Sequence, residues 1–384
     1  MFTSYPTGKP QLNRQVNRAL ILNRVRAAGR ISRAELARIT RIRPPTVTAV
    51  VRELLAEGLL EETGLGATHG GRAPRMLALS DRTPHALGFE VSDTTIRAGL
   101  ADITGHLQYR WRAGYTPESP ARTIDRLTAI GERLFKVRQE ATDNSGLGWS
   151  RLRGVGIALP GGVDSAAGIV RWSAPLNWRD VALRTMCEER WGVHTDVISD
   201  AAAVGLATHF SGAGDVRNQL SVVLRFADAT RGEVGVGIGL IIHGEPYRGE
   251  FGTAGELATP VLHPLVDARD DRGRPFAGAA EFVAALQAGQ AGAVAAMDRV
   301  AGDLMQLVLC AVDLLEPGRL VIEADVAELG AAFEARLAQN LAARRARQRC
   351  GQTDVVFATR GEFAGVRGAV VPALQRLFRL PSWS

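Results

Sequence analysis

Three helical patterns and a hairpin pattern follow one another in the first eighty residues, and this order restricts the possible folds more than any other feature of the chain. The first pattern ends at Gly29 and has apolar residues at helical spacing, namely Val16, Leu20, Ile21 and Val25. The second starts at Ser32, a capping residue type that is followed by Glu35 three positions later. This capping box predicts a short helix from about Arg33 to Ile39.

Two consecutive prolines mark the start of the third helical pattern. Pro44 and Pro45 cannot lie inside a helix but suit its first turn, and the helical apolar period then continues to Gly58. The segment LLEETGLGATHGGRAPRMLAL places a glycine-rich loop between two strand-like runs, which predicts a two-stranded hairpin. Helix, helix, turn, helix and hairpin form the order of a winged helix-turn-helix, so we predict this module over residues 1–80.

Such a module is expected to contact duplex DNA. Its third helix lies in the major groove, where base edges carry a distinctive pattern of donors and acceptors, and its hairpin reaches the backbone or the minor groove. We expect Thr46, Thr48 and Arg52 to read bases, and the arginines of the turn and hairpin to contact phosphates or a narrow groove. The complete predicted set is Arg41, Arg43, Pro45, Thr46, Thr48, Arg52, Arg72 and Arg75. The alternative is a small basic module that binds another protein.

The charge distribution favours a polyanion as the partner of this module. Residues 1–80 hold thirteen lysines and arginines against five acidic residues, whereas the remaining chain holds 33 against 35. Neutralisation of phosphates needs clustered cations, so the positive N-terminal segment indicates nucleic-acid binding. We interpret the later cluster as the solvated face of a helix; it consists of Arg344, Arg345, Arg347 and Arg349.

Composition excludes several classes of protein. With 384 residues, of which 46% are hydrophobic and 22% charged, the chain has a globular balance and the length for two or three domains. No apolar run approaches the ~18 to 20 residues of a membrane span, and the N-terminal segment lacks a signal-peptide core. We therefore expect a cytoplasmic protein without membrane contact. Cys187, Cys310 and Cys350 are too widely spaced for a disulfide framework or a cysteine-rich zinc site.

Strand-like runs separated by glycine-rich turns begin at about His85 and predict an α/β body. The segment HALGFEVSDTTIRAGLADITGHL predicts two antiparallel strands with their turn at Thr104 and Gly105. Asp200 follows a short strand and starts an alanine-rich helix, where it either caps the helix or serves a ligand. In VGVGIGLIIHG the glycines alternate, so one face of this strand lacks side chains and lets a ligand or another element approach.

These motifs resemble the ROK family, which joins sugar kinases with sugar-responsive transcriptional repressors, and the N-terminal module with GGRAPRMLAL resembles its repressor branch. The family motifs are matched in order by GFEVSDTTIRAGLADITG, GVGIALPGGVD with PLNW, SDAAAVGLATHFSGAG and GVGIGLIIHGEPYRGEFGTAGELAT. The resemblance implies an α/β fold in which a winged helix-turn-helix precedes a two-lobed body of the actin and hexokinase (ribonuclease H-like) type. The body would cover residues 81–384, with one lobe over about 81–200 plus the C-terminal tail, the other over about 201–370, and a sugar in the cleft.

The resemblance also assigns residues to this cleft. Asp200 stands at the place of the family aspartate that deprotonates a sugar hydroxyl, and Glu256 and Glu281 stand at the places of glutamates that bind sugar hydroxyls. Ser199 replaces the asparagine that precedes the family aspartate. Because ionised carboxylates accept several hydroxyl hydrogen bonds, we predict that these four residues bind an effector.

Departures from the family pattern argue against a metal and against a nucleotide. Thr259 stands where family members have a zinc-binding histidine, and residues 263–281 contain no cysteine, so we predict no zinc. The phosphate turn of the family's kinases is an aspartate followed by paired glycines and threonine. Here that turn is Glu90, Val91, Ser92, Asp93 and Thr94. The family's kinases also have paired glycines after a late buried strand, near the adenine pocket, and Glu323, Ala324 and Asp325 stand there in this chain. The added side chains and negative charge disfavour a triphosphate, so we predict no cofactor and no enzymatic activity.

The resulting hypothesis is a DNA-binding repressor of carbohydrate-related genes, whose inactive kinase-like cleft binds a sugar or sugar-derived effector. Its other partner would be double-stranded DNA with a palindromic operator, which requires a homodimer or a dimer of dimers. Two alternatives stay open. One is an ATP-dependent sugar kinase with an appended DNA-binding domain, and the other is a regulator without a small-molecule effector.

Overall fold

The computed structural model describes most of the chain. The described residues are 10–66, 73–83, 85–142, 147–211, 216–228, 233–250, 252, 254–255, 268–324, 335, 338–339, 342–343, 353–359 and 363–380. Among the predicted residues, Arg72, Glu256, Thr259, Asp325, Cys350 and the arginine cluster at 344–349 lie outside this part.

The N-terminal head is a winged helix-turn-helix, as predicted. Its elements are α1 (Pro10–Ala28), β1 (Ile31–Ser32), α2 (Arg33–Thr40), α3 (Pro44–Ala56), β2 (Leu60–Leu65) and β3 (Arg75–Leu79). The sequence did not indicate β1, because two residues are too short for a readable period. This strand pairs with β3 through Ile31 and Leu77 and completes a three-stranded sheet of order β1-β3-β2.

Local signals set the boundaries of the head helices. The Ser32 side chain accepts a hydrogen bond from the Glu35 backbone N–H at 3.2 Å, which confirms the predicted cap of α2. Arg41 ends this helix in the left-handed conformation with φ 58°, and Pro44 with Pro45 forms the first turn of α3. The fully buried core of the head includes Leu36, Val47, Val51, Leu54 and Leu77.

The first lobe of the body is built on a five-stranded sheet. Its elements are β4 (Ala86–Val91), β5 (Thr95–Ala101), β6 (Leu107–Gly114), α4 (Pro120–Thr142), β7 (Gly154–Leu159), β8 (Gly162–Asp164), β9 (Ile169–Ser173), β10 (Trp178–Val181), α5 (Leu183–Trp191) and β11 (Thr195–Ser199). The sheet has the order β11-β7-β4-β5-β6, and β8 to β10 form a separate small sheet. Two strands were predicted before residue 115, but three are present. The predicted turn at Thr104 and Gly105 joins β5 to β6, and a second turn at Ser92 to Thr94 separates β4 from β5.

The second lobe contains another five-stranded sheet, with the order β14-β13-β12-β15-β16. Its elements are α6 (Asp200–Ser211), β12 (Gln219–Asp228), β13 (Glu233–Ile242), β14 (Glu245–Pro246), α7 (Ala279–Gln287), α8 (Ala291–Leu315), β15 (Arg319–Ala324) and β16 (Asp354–Thr359). The last helix, α9 (Ala364–Phe378), packs on the first sheet. A Cβ atom at Gly156 of β7 would overlap the Ala369 carbonyl of α9, so only glycine permits this close packing.

The head is packed directly against the body. Phe378 of α9 and Ile103 of the β5–β6 connection belong to the same buried cluster as the helices of the head. The Asn23 side-chain amide of α1 donates to the Phe378 carbonyl at 2.7 Å. The two units therefore share hydrophobic core, and α1 and α9 are in direct contact. Within the described residues, no helix combines the length and apolarity that a membrane span requires.

Candidate functional site

One face of α3 is exposed to solvent. Pro45, Thr48 and Arg52 are exposed and follow one another at helical spacing, so they lie on the same stripe. The opposite face is buried through Val47, Val50, Val51 and Leu54. Thr46, which the sequence also assigned to base reading, is half-buried and lies at the edge of the exposed face.

The arginines of the head fall into two groups. Five of them form ion pairs with glutamates within the head: Arg14 with Glu53, Arg18 with Glu57, Arg38 with Glu35, and both Arg33 and Arg75 with Glu62. Arg41, Arg43 and Arg52 are exposed and have no carboxylate partner among the described residues. These three guanidinium groups need not break an ion pair before they contact a phosphate or a base.

Arg75 of the hairpin differs from the other predicted DNA contacts. Its guanidinium lies 2.5 Å from Glu62, which also binds Arg33 at 2.9 Å. The hydrogen bonds from Arg75 and Arg33 hold the pKa of the Glu62 carboxyl below its ordinary value. Contact of Arg75 with DNA would therefore compete with this ion pair. Arg72, the other predicted hairpin contact, lies outside the described residues.

In the body, Ser199 and Asp200 lie where β11 ends and α6 begins. The Ser199 hydroxyl accepts from the Ala202 backbone N–H at 3.3 Å, so this residue provides the helix cap. Asp200 is 7% exposed and its Oδ1 accepts from the Ala201 N–H at 2.7 Å. A carboxylate at this position is favoured by the positive end of the helix dipole.

The alternating glycines of β13 accommodate α6. A Cβ atom at Gly237 would lie 2.8 Å from the Ala201 side chain, and one at Gly239 would lie 2.6 Å from the Ala201 carbonyl oxygen. The sequence left open whether a ligand or another element approaches this strand. At these two glycines the approaching element is the first turn of α6, which brings Asp200 against the second sheet.

A cavity of about 260 Å³ lies beside this junction and is lined by residues of both large sheets. Its wall includes Ser199 of β11, Ala202 and Leu206 of α6, and Gly239 of β13. Arg184 also lines it, and its guanidinium donates to the carbonyl groups of Ser165, Ala166 and Thr195. The cavity therefore offers a preformed space with hydrogen-bonding groups for a small ligand.

The structure brings only part of the predicted effector set to this cavity. Ser199 lines it, and Asp200 is the next residue along the chain. Glu281 is exposed in the first turn of α7, where its carboxylate accepts from the Ala277 N–H at 2.6 Å. Glu256 lies outside the described residues, although the glycine-rich loop before it reaches the cavity through Gly252 and Ala254. Sequence reasoning did not anticipate the contributions of Arg184 and of α9, because neither belongs to a recognisable motif.

In the turn that would face a phosphate, Ser92 to Thr95 hydrogen-bond to one another. The Ser92 hydroxyl accepts from the backbone N–H groups of Thr94 and Thr95, at 3.4 and 3.0 Å. The Ser92 N–H donates to the Thr95 carbonyl at 2.9 Å. The preceding Glu90 is buried and lies 3.6 Å from Arg97. The backbone N–H groups of Ser92, Thr94 and Thr95 are therefore already engaged within the turn and are not available to a phosphate.

No group of three or more potential metal ligands occurs among the described residues. Thr259 and its neighbours lie outside them, so the absence of zinc stays a prediction.

A family model described as the ROK family matches residues 86–264, and a model of a winged helix-turn-helix DNA-binding domain matches residues 17–61. The putative xylose repressor of Caldicellulosiruptor sp. (strain Rt8B.4) is 30% identical over 266 residues, which cover 69% of this chain and 62% of that protein. The DNA-binding transcriptional dual regulator NagC of Escherichia coli K12 is 26% identical over 261 residues, covering 67% and 60%. The matched region thus covers less than two thirds of the length of each of these relatives.

A solved structure with a similar fold is that of a ROK family transcriptional regulator, a homolog of the E. coli MLC protein. It superimposes with a TM-score of 0.73 at 20% sequence identity, and the alignment covers 95% of this chain and 97% of that one. The similarity therefore extends over both the head and the body.

Proposed function

Because this chain belongs to the ROK family and carries a winged helix-turn-helix at its N-terminus, we propose that it is a DNA-binding transcriptional repressor controlled by a sugar or sugar-derived effector. We assign residues 1–80 to the DNA-binding head and 81–384 to the body that binds the effector and forms the oligomer. The observation that carries the proposal is the exposed stripe of Pro45, Thr48 and Arg52, flanked by arginines without carboxylate partners in the described part of the head. The relatives named as a putative xylose repressor and as a DNA-binding transcriptional dual regulator support a role in transcription.

Selection of genomic DNA fragments by the purified full-length protein tests the DNA-binding part. We expect enrichment of fragments that share a palindrome, because a two-fold symmetric homodimer presents two heads at a fixed spacing. A protein that enriches no fragment at low salt would contradict the proposal. Sedimentation of the free and the DNA-bound protein gives the oligomeric state.

Thermal unfolding in the presence of a sugar panel tests the effector part. The panel contains D-xylose, D-glucose, N-acetylglucosamine and the 6-phosphates of the two hexoses. A bound sugar at 100 times its dissociation constant adds about 2.7 kcal/mol to the free energy of unfolding. A repressor without an effector would show no shift with any member of the panel.

We further propose that the body is catalytically inactive. The turn at Ser92 supports this, since the backbone N–H groups of Thr94 and Thr95 donate to the Ser92 side chain. The second candidate, an ATP-dependent sugar kinase, is favoured by one observation, the retained Asp200 beside the cavity. An ADP-release assay over the same panel separates the two, and turnover that disappears in Asp200→Asn would establish the kinase.

A further inference from the structure

Two helices connect the cavity to the DNA-binding head. Helix α6 lines the cavity with Ala202 and Leu206 and ends beside the head at Phe210. Helix α9 lines it with Pro372, Gln375 and Arg376 and ends beside the head at Phe378. In both helices, the residues that line the cavity therefore lie within two or three helical turns of the helix end beside the head.

The two helix ends meet at one residue of the head, Arg26 of α1. The guanidinium carbon of Arg26 lies 4.2 Å from the ring centre of Phe210 and 5.0 Å from that of Phe378. The same guanidinium donates to the Phe210 carbonyl at 3.4 Å. A cation between two aromatic faces is stabilised only while both rings keep their positions, because the attraction depends on ring geometry.

The packing between α6 and α9 makes them move together. A Cβ atom at Gly368 of α9 would overlap the Ala203 carbonyl of α6, so the two backbones are in direct contact. Close-packed interiors transmit a displacement instead of absorbing it. The turn of α9 that borders the cavity contains Pro372, which has no N–H to donate to the Gly368 carbonyl. The α9 helix therefore lacks one hydrogen bond at the cavity wall and bends there more easily.

We propose that Arg26 is the residue through which the state of the cavity determines the position of the DNA-binding head. This inference rests on the proposed function, because DNA binding is the property that the head position changes. A ligand in the cavity displaces α6 and α9, the two rings separate, and α1 loses its cation–π contacts with the body. By linkage, DNA that prefers one head position then changes the affinity of the cavity for its ligand by the same factor.

A double-mutant cycle tests the coupling without a known effector. Ala202→Leu places a larger side chain in the cavity and stands in for a ligand, and Arg26→Gln removes the cation at the head. The readout is the dissociation constant for the selected DNA fragment, measured for wild type, both single variants and the double variant. We expect Ala202→Leu to change this constant by roughly fivefold or more in the wild-type background and by less than twofold in the Arg26→Gln background.

Hydrogen–deuterium exchange of the α1 peptide that contains Asn23 and Arg26 gives a second readout that needs no DNA. Ala202→Leu should change its exchange rate in the wild-type background and leave it unchanged with Arg26→Gln. Arg24→Gln is the matched control, because Arg24 is an exposed arginine of the same helix and should leave the effect of Ala202→Leu intact. If Ala202→Leu fails to fold, as judged by circular dichroism, Gln375→Trp places a larger side chain in the cavity from α9 instead.

The two readouts separate this inference from the proposed function. Equal effects of the cavity variant in both backgrounds, or no effect on α1 exchange in either, would overturn the role of Arg26 even for a protein that binds DNA and sugar. A protein that binds no DNA would overturn the proposed function, while the exchange experiment would still decide whether the cavity and α1 are coupled.

Discussion

Arg153 of the body donates a hydrogen bond to Glu57, the residue after α3 of the head, with 2.6 Å between Nη2 and Oε2. Glu57 also binds Arg18 of α1 at 2.7 Å. One carboxylate thus joins the first and third helices of the head to the body. The orientation of α3 is consequently tied to the body, which the proposed control of DNA binding from the cavity requires.

Arg52→Ala should weaken binding to the selected operator and relax the preference at one base. If Arg52 binds a guanine with two hydrogen bonds, the loss is about 1–3 kcal/mol. Fluorescence anisotropy with operators substituted one base at a time gives both quantities. An unchanged profile of base preference would show that α3 is placed differently in the groove.

Arg43→Ala should weaken binding to all sequences by a similar factor. The exposed Arg43 at the N-terminus of α3 is expected to neutralise one phosphate, so the slope of log affinity against log salt concentration should fall by about one. Titrations at three or four salt concentrations measure the slope. Arg75→Ala offers a comparison, because Arg75 is held by Glu62 and should change the slope less.

Asp200→Asn should remove the stabilisation that a sugar provides while leaving the unliganded protein close to wild type. The substitution keeps the size of the side chain but replaces one acceptor oxygen by a donor, which leaves a sugar hydroxyl without its partner. Thermal unfolding with and without the most strongly bound sugar of the panel measures this loss. Full sugar stabilisation in the variant would place the effector away from Asp200.

The stability of the protein should fall as the pH drops from 7 to 5, in part because of His85. Burial lowers the pKa of this imidazole, which donates to the Gly58 carbonyl at the head–body junction, to about 4. In the unfolded chain its pKa returns to about 6.5, so the unfolded state takes up the proton first. The contribution of His85 to the free energy of unfolding is therefore fully present above about pH 6.5 and is lost toward pH 4. At pH 5 the free energy of unfolding is lower by about 2 kcal/mol for this reason.

Urea unfolding of wild type and His85→Gln across this pH range checks the assignment. The variant should have a shallower pH dependence, because glutamine can donate to Gly58 and does not titrate. Parallel curves for the two proteins would assign the pH dependence to other groups.

Gly368→Ala should be strongly destabilising, because the added methyl group would overlap the Ala203 carbonyl of α6. Overpacking against a backbone that cannot move predicts a loss of roughly 3 kcal/mol or more in the free energy of unfolding. Gly302→Ala in α8 is the matched control. A Cβ atom at Gly302 meets no other atom within 4 Å, so the better helix propensity of alanine should add about 0.5–1 kcal/mol. Similar effects at the two positions would contradict the close packing of α6 and α9.

The sequence determined the local structure of this protein to a large extent. Capping by Ser32, the first turn of α3 at Pro44 and the start of α6 at Asp200 were all predictable, since each depends on residues within one or two helical turns. Short-range patterns also predicted the strand before Asp200 and the glycine-rich strand β13. They did not predict the two-residue β1 of the head, the small sheet of β8 to β10 or the additional strand between Val91 and Gly105.

Only the tertiary structure decided which side chains are free and which are engaged. Glu62 holds Arg75 while Arg52 stays unpaired within the described residues, although both arginines belong to the same basic segment. Arg26 lies between Phe210 and Phe378, which are 184 and 352 residues further along the chain. Contacts of this kind leave no period or motif in the sequence, because they arise when close packing brings the ends of three distant helices to one point.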